Sequence, residues 1–223
     1  EIKRPTIWLN KIDEWRDKMK LKIQKKENNQ SLDPYFTFSL LNIYLPKKSL
    51  IFIDTGCAIA WSMQTLTFKF NQRIFHDFNN TAMGWSLPAA VGGYFANPKL
   101  PIVCIIGDGS LMMTIQELST ISHHQIPLKI ILVNNSGYSM IKQTQDQWLS
   151  SNYVASSYSG GLSFPKFDLL AETYGLEYFE ASAHDNLEEA FKLFFQSESS
   201  SLINLRICPN ARVKPQVKYG KPN

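Results

Sequence analysis

Cysteine is scarce in this sequence, and its placement is uninformative for cross-linking. Cys57, Cys104 and Cys208 are the three cysteines in 223 residues. They are odd in number, widely spaced and without a C-x-x-C pair, which excludes a disulfide framework and a thiolate zinc site. A reducing, cytoplasmic setting is the expectation. No apolar run approaches the roughly 20 residues that cross a bilayer, and no leader pattern precedes the first helical stretch, so no membrane association is expected. Internal repeats and low-complexity tracts are also missing. The charge excess is small, 23 Lys and Arg against 19 Asp and Glu, for a net charge of +4. It is drawn largely from the first 26 residues, where Ile12, Trp15, Met19 and Ile23 form an i, i+3, i+4 stripe. The lysines there read as the solvated side of an amphipathic helix over about Trp8 to Lys26, and no nucleic-acid partner is expected.

What the sequence does have is regular alternation. After the polar linker "KENNQSLDP", "YFTFSLLNIYLP" reads as a helix that Pro46 terminates. "LIFID" (50–54), "IVCII" (102–106), "KIILV" (129–133), "LEYFE" (176–180) and "LINLRI" (202–207) are short apolar, β-branched runs separated by helical patterns. The small-residue stretch "SLPAAVGGYFA" (86–96) predicts one such helix, and another is expected from near Ser110 to His123 and His124. Strands that are apolar on both faces and alternate with helices imply a three-layer α/β/α domain on a mostly parallel sheet. The ending "CPNARVKPQVKYGKPN" has three prolines and little periodicity, so an irregular tail over 209–223 is expected.

In an open parallel sheet ligands bind beyond the carboxyl ends of the strands. The segments there are Asp54-Thr55-Gly56-Cys57-Ala58, Gly107-Asp108-Gly109-Ser110 and Asn134-Asn135-Ser136-Gly137-Tyr138. The second resembles a dinucleotide fingerprint, yet the third glycine of G-x-G-x-x-G falls on Met112 and the middle position is the carboxylate of Asp108. A phosphate beside that carboxylate needs a cation between them. Asp108, the amide oxygen of Asn135 and the backbone carbonyl of Gly137 are oxygen donors suited to a hard ion such as Mg²⁺, which takes its remaining ligands from phosphate and water. The N–H groups of Gly109 and Ser110, opening a helix, favour the same phosphate.

A Gly-Asp-Gly turn followed, 27 positions after its Asp, by the second Asn of an Asn-Asn strand end resembles the thiamine diphosphate motif of the acetolactate synthase and pyruvate decarboxylase superfamily. "DTGCAIAW" resembles that family's diphosphate-wrapping segment, and "TAMGWSLPAAVGGYFANP" the segment that holds the aminopyrimidine. The resemblance implies a thiamine-diphosphate-binding fold over 31–208, preceded over 1–30 by the end of another domain. It implies Asp108, Asn135 and Gly137 as Mg²⁺ ligands. It places thiamine diphosphate against Thr55, Gly56, Cys57, Ala58, Gly107, Gly109, Ser110, Tyr138, Ser139 and Met140, with the Thr81 carbonyl on its amino group. Met83 becomes the wedge that bends the cofactor so that its own amino nitrogen reaches the reactive carbon, which gives Met83 a catalytic part. Read alone, Met83 is an ordinary core methionine.

In such enzymes a glutamate on a pyrimidine-binding domain activates the cofactor, and no segment here resembles that domain. The expectation is therefore a piece of a longer polypeptide, or else a subunit pairing with a separate partner, within a homodimer or homotetramer. FAD on a central domain is also implied. Two activities fit: decarboxylation of a 2-oxoacid such as pyruvate with transfer of the two-carbon unit to a carbonyl acceptor, or decarboxylation alone. A non-catalytic thiamine-diphosphate-binding module is the third reading, disfavoured by intact Asp108 and Asn135. Where acetolactate synthases proper carry a tryptophan, nine positions past the second Asn, this sequence has Thr144. That substitution suggests an open pocket whose hydroxyl meets a bulkier acceptor, such as a nucleotide-linked keto sugar, as in synthase-like enzymes of surface polysaccharide synthesis. His76, His123, His124 and His184 carry no motif, and "SSYSGGLSFP" (156–165) reads as a loop able to close over the site.

Overall fold

A computed structural model describes residues 5–18, 23 and 31–215. Helix α1 (Thr6–Lys18) leads by way of the capped helix α2 (Pro34–Tyr44) to the strand β1 (Ser49–Ile53). The cap of α2 is local chemistry: the Asp33 carboxylate accepts from the N–H of Tyr35 at 3.0 Å and of Phe36 at 3.2 Å, and Pro34 fills a position that needs no donor. There follow α3 (Cys57–Thr65), β2 (Gln72–Phe75), α4 (Ser86–Ala96), β3 (Ile102–Gly107), α5 (Asp108–Met113), α6 (Glu117–His123) and β4 (Leu128–Asn134). The chain continues through α7 (Ser139–Trp148), α8 (Phe167–Thr173), β5 (Glu177–Ala181), α9 (His184–Gln196) and β6 (Ser201–Arg206).

The six strands form one sheet in the order β2-β1-β3-β4-β6-β5, and every pairing is parallel. Side chains alternate across it. Ile51, Ile53, Val103, Ile105, Ile131 and Val133 pack toward α2, α3 and α9, whereas Leu50, Phe52, Ile102, Cys104, Ile106, Ile130 and Leu132 pack toward α4, α6 and α8. The inner strands β1, β3, β4 and β6 are thus buried on both faces, which is why their sequences read as continuous apolar runs. The result is the three-layer α/β/α architecture, with a sheet that is wholly parallel. The chain leaves β1 toward β2 on one side and returns to β3 on the other, so the loops after β1 and β3 diverge and open a crevice at their carboxyl ends.

Three expectations need correction. The strand β2 was not expected; its "QRIF" is half polar and sits at the sheet edge, so it lacks the apolar run that marked the others. The helix expected from Ser110 to His124 is two, α5 and α6, because Thr114 leaves helical geometry and its hydroxyl donates to the Gly84 carbonyl at 3.0 Å. The amphipathic pattern at the start is helical over Thr6–Lys18 and has no buried residue there. Of the remainder of that pattern, all but Ile23 lies outside the described residues, as do 216–223 of the expected tail. Residues 209–215 carry no regular element.

Candidate functional site

A cavity of about 320 Å³ opens at the carboxyl ends of β1, β3 and β4. Four stretches of chain line it: Thr55, Gly56, Cys57 and Ala58 after β1; Thr81 and Met83 before α4; Gly107, Asp108, Gly109 and Ser110 at the turn from β3 into α5; and Asn135, Gly137, Tyr138, Ser139 and Met140 after β4. Every residue that the resemblance assigned to the cofactor or the metal therefore lies on one cavity. Val133 and Ile141 complete the lining.

Asp108 is buried, and its Oδ1 accepts from the Gly109 N–H at 2.7 Å and its Oδ2 from the Gly137 N–H at 3.2 Å. Burial pushes its carboxyl up to about 7 even though these backbone donors pull the other way. Asn135 is buried beside it, and its Oδ1 has no hydrogen-bond partner; Ser139 Oγ is in the same condition. A desolvated carboxylate and an orphaned amide oxygen on one cavity are costly as they stand and fit a cation that would satisfy both. Among the described residues no group of three His, Cys, Asp or Glu side chains gathers to hold a metal. The donors here are few and all oxygen, which suits a hard ion that draws other ligands from a phosphate.

Two glycines are set by close packing. A Cβ on Gly109 would lie 2.0 Å from the Tyr138 ring, and one on Gly137 would lie 2.6 Å from the Ser156 carbonyl oxygen. The second contact belongs to a bridge in which the Tyr138 N–H donates to Ser156 O at 3.0 Å, while Ser156 Oγ donates to Gln145 Oε1 at 2.5 Å. The 156–165 segment is thereby pinned to α7 at its start. Its residues do not line the cavity; Tyr158 and Leu162 to Pro165 face a separate polar cavity with Asn134, Glu180 and Arg206. The segment also packs on the cavity lining from outside, the Phe164 ring lying edge-on to Tyr138 with centroids 6.4 Å apart.

Thr144 lies on α7 one turn beyond Met140. It is exposed, its hydroxyl donates to the Met140 carbonyl at 3.2 Å, and it is not in the cavity lining. The α7 residues that line the cavity are Ser139, Met140 and Ile141. The histidines stay outside as well: His76 Nδ1 donates to Ile53 O, His184 Nε2 accepts from Asp33 N, and His123 and His124 pack on each other at the end of α6. Cys57 does face the cavity, but burial pushes its thiol up to about 12, so it acts as packing and backbone rather than as a nucleophile.

One residue went unrecognised. Asp54 is fully buried, and its carboxylate accepts from the N–H of Gly84 at 3.1 Å and of Ser86 at 2.8 Å. It ties the end of β1 to the segment bearing Thr81 and Met83 and caps α4, whose own first residues supply no capping side chain. The usable signal was an acid at a strand end in a sequence with an uncapped small-residue helix downstream.

The fold and the cavity define a class, an open parallel α/β domain whose switch-point crevice presents buried oxygen donors. The family is specific. Residues 54–205 match the C-terminal TPP binding domain of thiamine pyrophosphate enzymes, and the chain belongs to that family. It is 31% identical over 216 residues to the acetolactate synthase large subunit of Pyropia yezoensis, aligning 97% of this chain with 36% of that protein. Acetolactate synthase 2, chloroplastic, of Brassica napus is 30% identical over 218 residues, with 93% and 34% covered. The Escherichia coli (strain K12) isozyme 1 large subunit is 29% identical over 197 residues, with 87% and 34% covered. The chain is an acetolactate-synthase-like thiamine-diphosphate-binding domain and spans about a third of the length of these relatives.

Proposed function

We propose that this domain holds thiamine diphosphate through Mg²⁺ in an enzyme that decarboxylates a 2-oxoacid such as pyruvate and passes the two-carbon unit to a carbonyl acceptor. The observation that carries the proposal is the orphaned Asn135 Oδ1 beside the buried Asp108 carboxylate. With the Gly137 carbonyl these are the metal ligands. The Ser110 N–H would face the diphosphate, Gly109, whose N–H is held by Asp108, would border it, Thr55 to Ala58 would wrap it, and Tyr138, Ser139 and Met140 would close that side. Met83, partly exposed at the cavity, would be the apolar wedge against the cofactor, and the Thr81 carbonyl would accept from its amino group. When bound, thiamine diphosphate supplies the nucleophilic carbon that makes loss of CO₂ from a 2-oxoacid feasible.

In this reading 1–30 close a preceding domain, 31–208 form the cofactor domain and 209–223 form a tail. The activating glutamate comes from a pyrimidine-binding domain, in the same polypeptide or a partner, within a homodimer or homotetramer; FAD belongs to a central domain. The cytoplasm is its compartment, in keeping with three free cysteines. Among the described residues no helix is long and apolar enough to cross a membrane. The test is incubation of the full-length protein with pyruvate, thiamine diphosphate and Mg²⁺, with products identified by mass. A ligated product supports the carboligase; release of the aldehyde alone makes it a simple decarboxylase; no consumption of pyruvate or any other 2-oxoacid overturns the reading.

A further inference from the structure

Helix α7 is built with its polar side inward. Lys142, Gln143 and Gln145 are buried, whereas Ile141 and Trp148 are half exposed or more. Surface helices ordinarily turn an apolar stripe to the core, and a buried amide or ammonium is costly unless its hydrogen bonds are made. In α7 most of them are made by the C-terminal segment. Gln143 Nε2 donates to the Val213 carbonyl at 3.0 Å and Gln143 Oε1 accepts from the Val213 N–H at 3.0 Å, so one amide matches both polar groups of one residue. Lys142 Nζ donates to Pro209 O at 2.8 Å, and Arg212 Nε meets Asp146 Oδ2 at 2.7 Å.

The same segment reaches the neighbouring wall. Lys214 N donates to Tyr35 Oη at 2.6 Å, and Lys214 O accepts from Tyr35 Oη at 2.8 Å and from Gln64 Nε2 at 3.2 Å. Gln64 lies on α3, whose first turn presents Cys57 and Ala58 to the cavity, and the first turn of α7 presents Met140 and Ile141. The two walls meet where Gly56 approaches Met140. Ala211 and Val213 also pack on the core beneath them.

We propose that Pro209 to Lys214 form a strap that sets the spacing of α3 and α7, with Gln143 and Arg212 as positioning residues that shape the cavity from outside it. The strap stands whichever phosphorylated ligand fills the cavity. Its test is hydrogen exchange on the ligand-free full-length protein carrying Gln143→Met, which keeps the volume and removes both bonds, Val213→Pro, which removes the Val213 donor, or the two together. Each single change raises exchange of the 143–148 amides on the order of tenfold, leaves β3 and β4 unchanged, and the double variant exceeds Gln143→Met by little. Thiamine diphosphate with Mg²⁺, titrated against the same proteins, binds several-fold more weakly to the variants. Unchanged exchange in α7, an equal rise throughout β3 and β4, or fully additive effects would overturn the strap. Failure of the unaltered protein to bind thiamine diphosphate counts against the proposed function and leaves the exchange result to decide this inference.

Discussion

Replacing Asp54 by alanine tests how the site is assembled. The side chain is fully buried, and its two oxygens take the N–H groups of Gly84 and Ser86. Alanine leaves both donors without a partner in a space that water reaches poorly. A buried unsatisfied donor costs about 1–3 kcal/mol, and a hydrogen bond to a charged group is worth about 1.5–3, so the pair of losses comes to about 3–5 kcal/mol. Against a total stability of about 5–15 kcal/mol that is a large fraction. For a domain of this size it corresponds to a fall in Tm of about 6–20 °C. Asp54→Asn keeps one acceptor and turns an NH₂ toward the other donor, so its loss is smaller, about 2 kcal/mol. The assay is thermal and urea unfolding followed by tryptophan fluorescence for both variants. A change below about 0.5 kcal/mol in Asp54→Ala, or equal losses in the two, would refute the account of Asp54 as the tie between β1 and the Thr81–Met83 segment.

Two other outcomes follow from the shifted groups. With its thiol pushed up to about 12, Cys57 is ionised in about one molecule in 10⁴ at pH 8, so iodoacetamide labels the less buried Cys208 first, and mass spectrometry of peptides showing Cys57 labelled equally fast would contradict this. Lys129, whose Nζ donates to Ser199 O and Ser201 Oγ, is lowered by burial from an ordinary 10.5 to about 8; between these values the unfolded chain binds more protons than the folded one, so stability rises with pH. Urea midpoints from pH 7.5 to pH 10 should rise in the parent relative to Lys129→Met, and parallel profiles would show that the ammonium carries no such penalty.

The elements read most easily from the sequence were those whose physics is local. "IVCII" and "KIILV" are buried on both faces, so their apolar runs needed no tertiary knowledge, and the Gly-Asp-Gly and Asn-Asn turns follow them directly. The strand β2 escaped notice because an edge strand need not be apolar throughout. The break between α5 and α6 depends on a hydrogen bond from Thr114 to Gly84, thirty positions away, which no window of sequence contains. The α7 residues on the cavity are those of its first turn, Ser139, Met140 and Ile141, and Thr144 stands one turn further along the same side, its hydroxyl bound to the helix's own backbone. The polar face of α7 is legible only once the C-terminal segment lies against it.

The central claim is that Asp108 and Asn135 bind the cofactor's diphosphate through a divalent ion. The direct measurement is a calorimetric titration of the full-length protein with thiamine diphosphate, in Mg²⁺ and in excess chelator, for the parent and for Asn135→Leu, which removes the orphaned oxygen at similar volume. The account predicts binding in Mg²⁺ that the chelator abolishes, and a loss of at least tenfold in affinity for Asn135→Leu. Equal affinity with and without the chelator, or an unchanged affinity in Asn135→Leu, would contradict it.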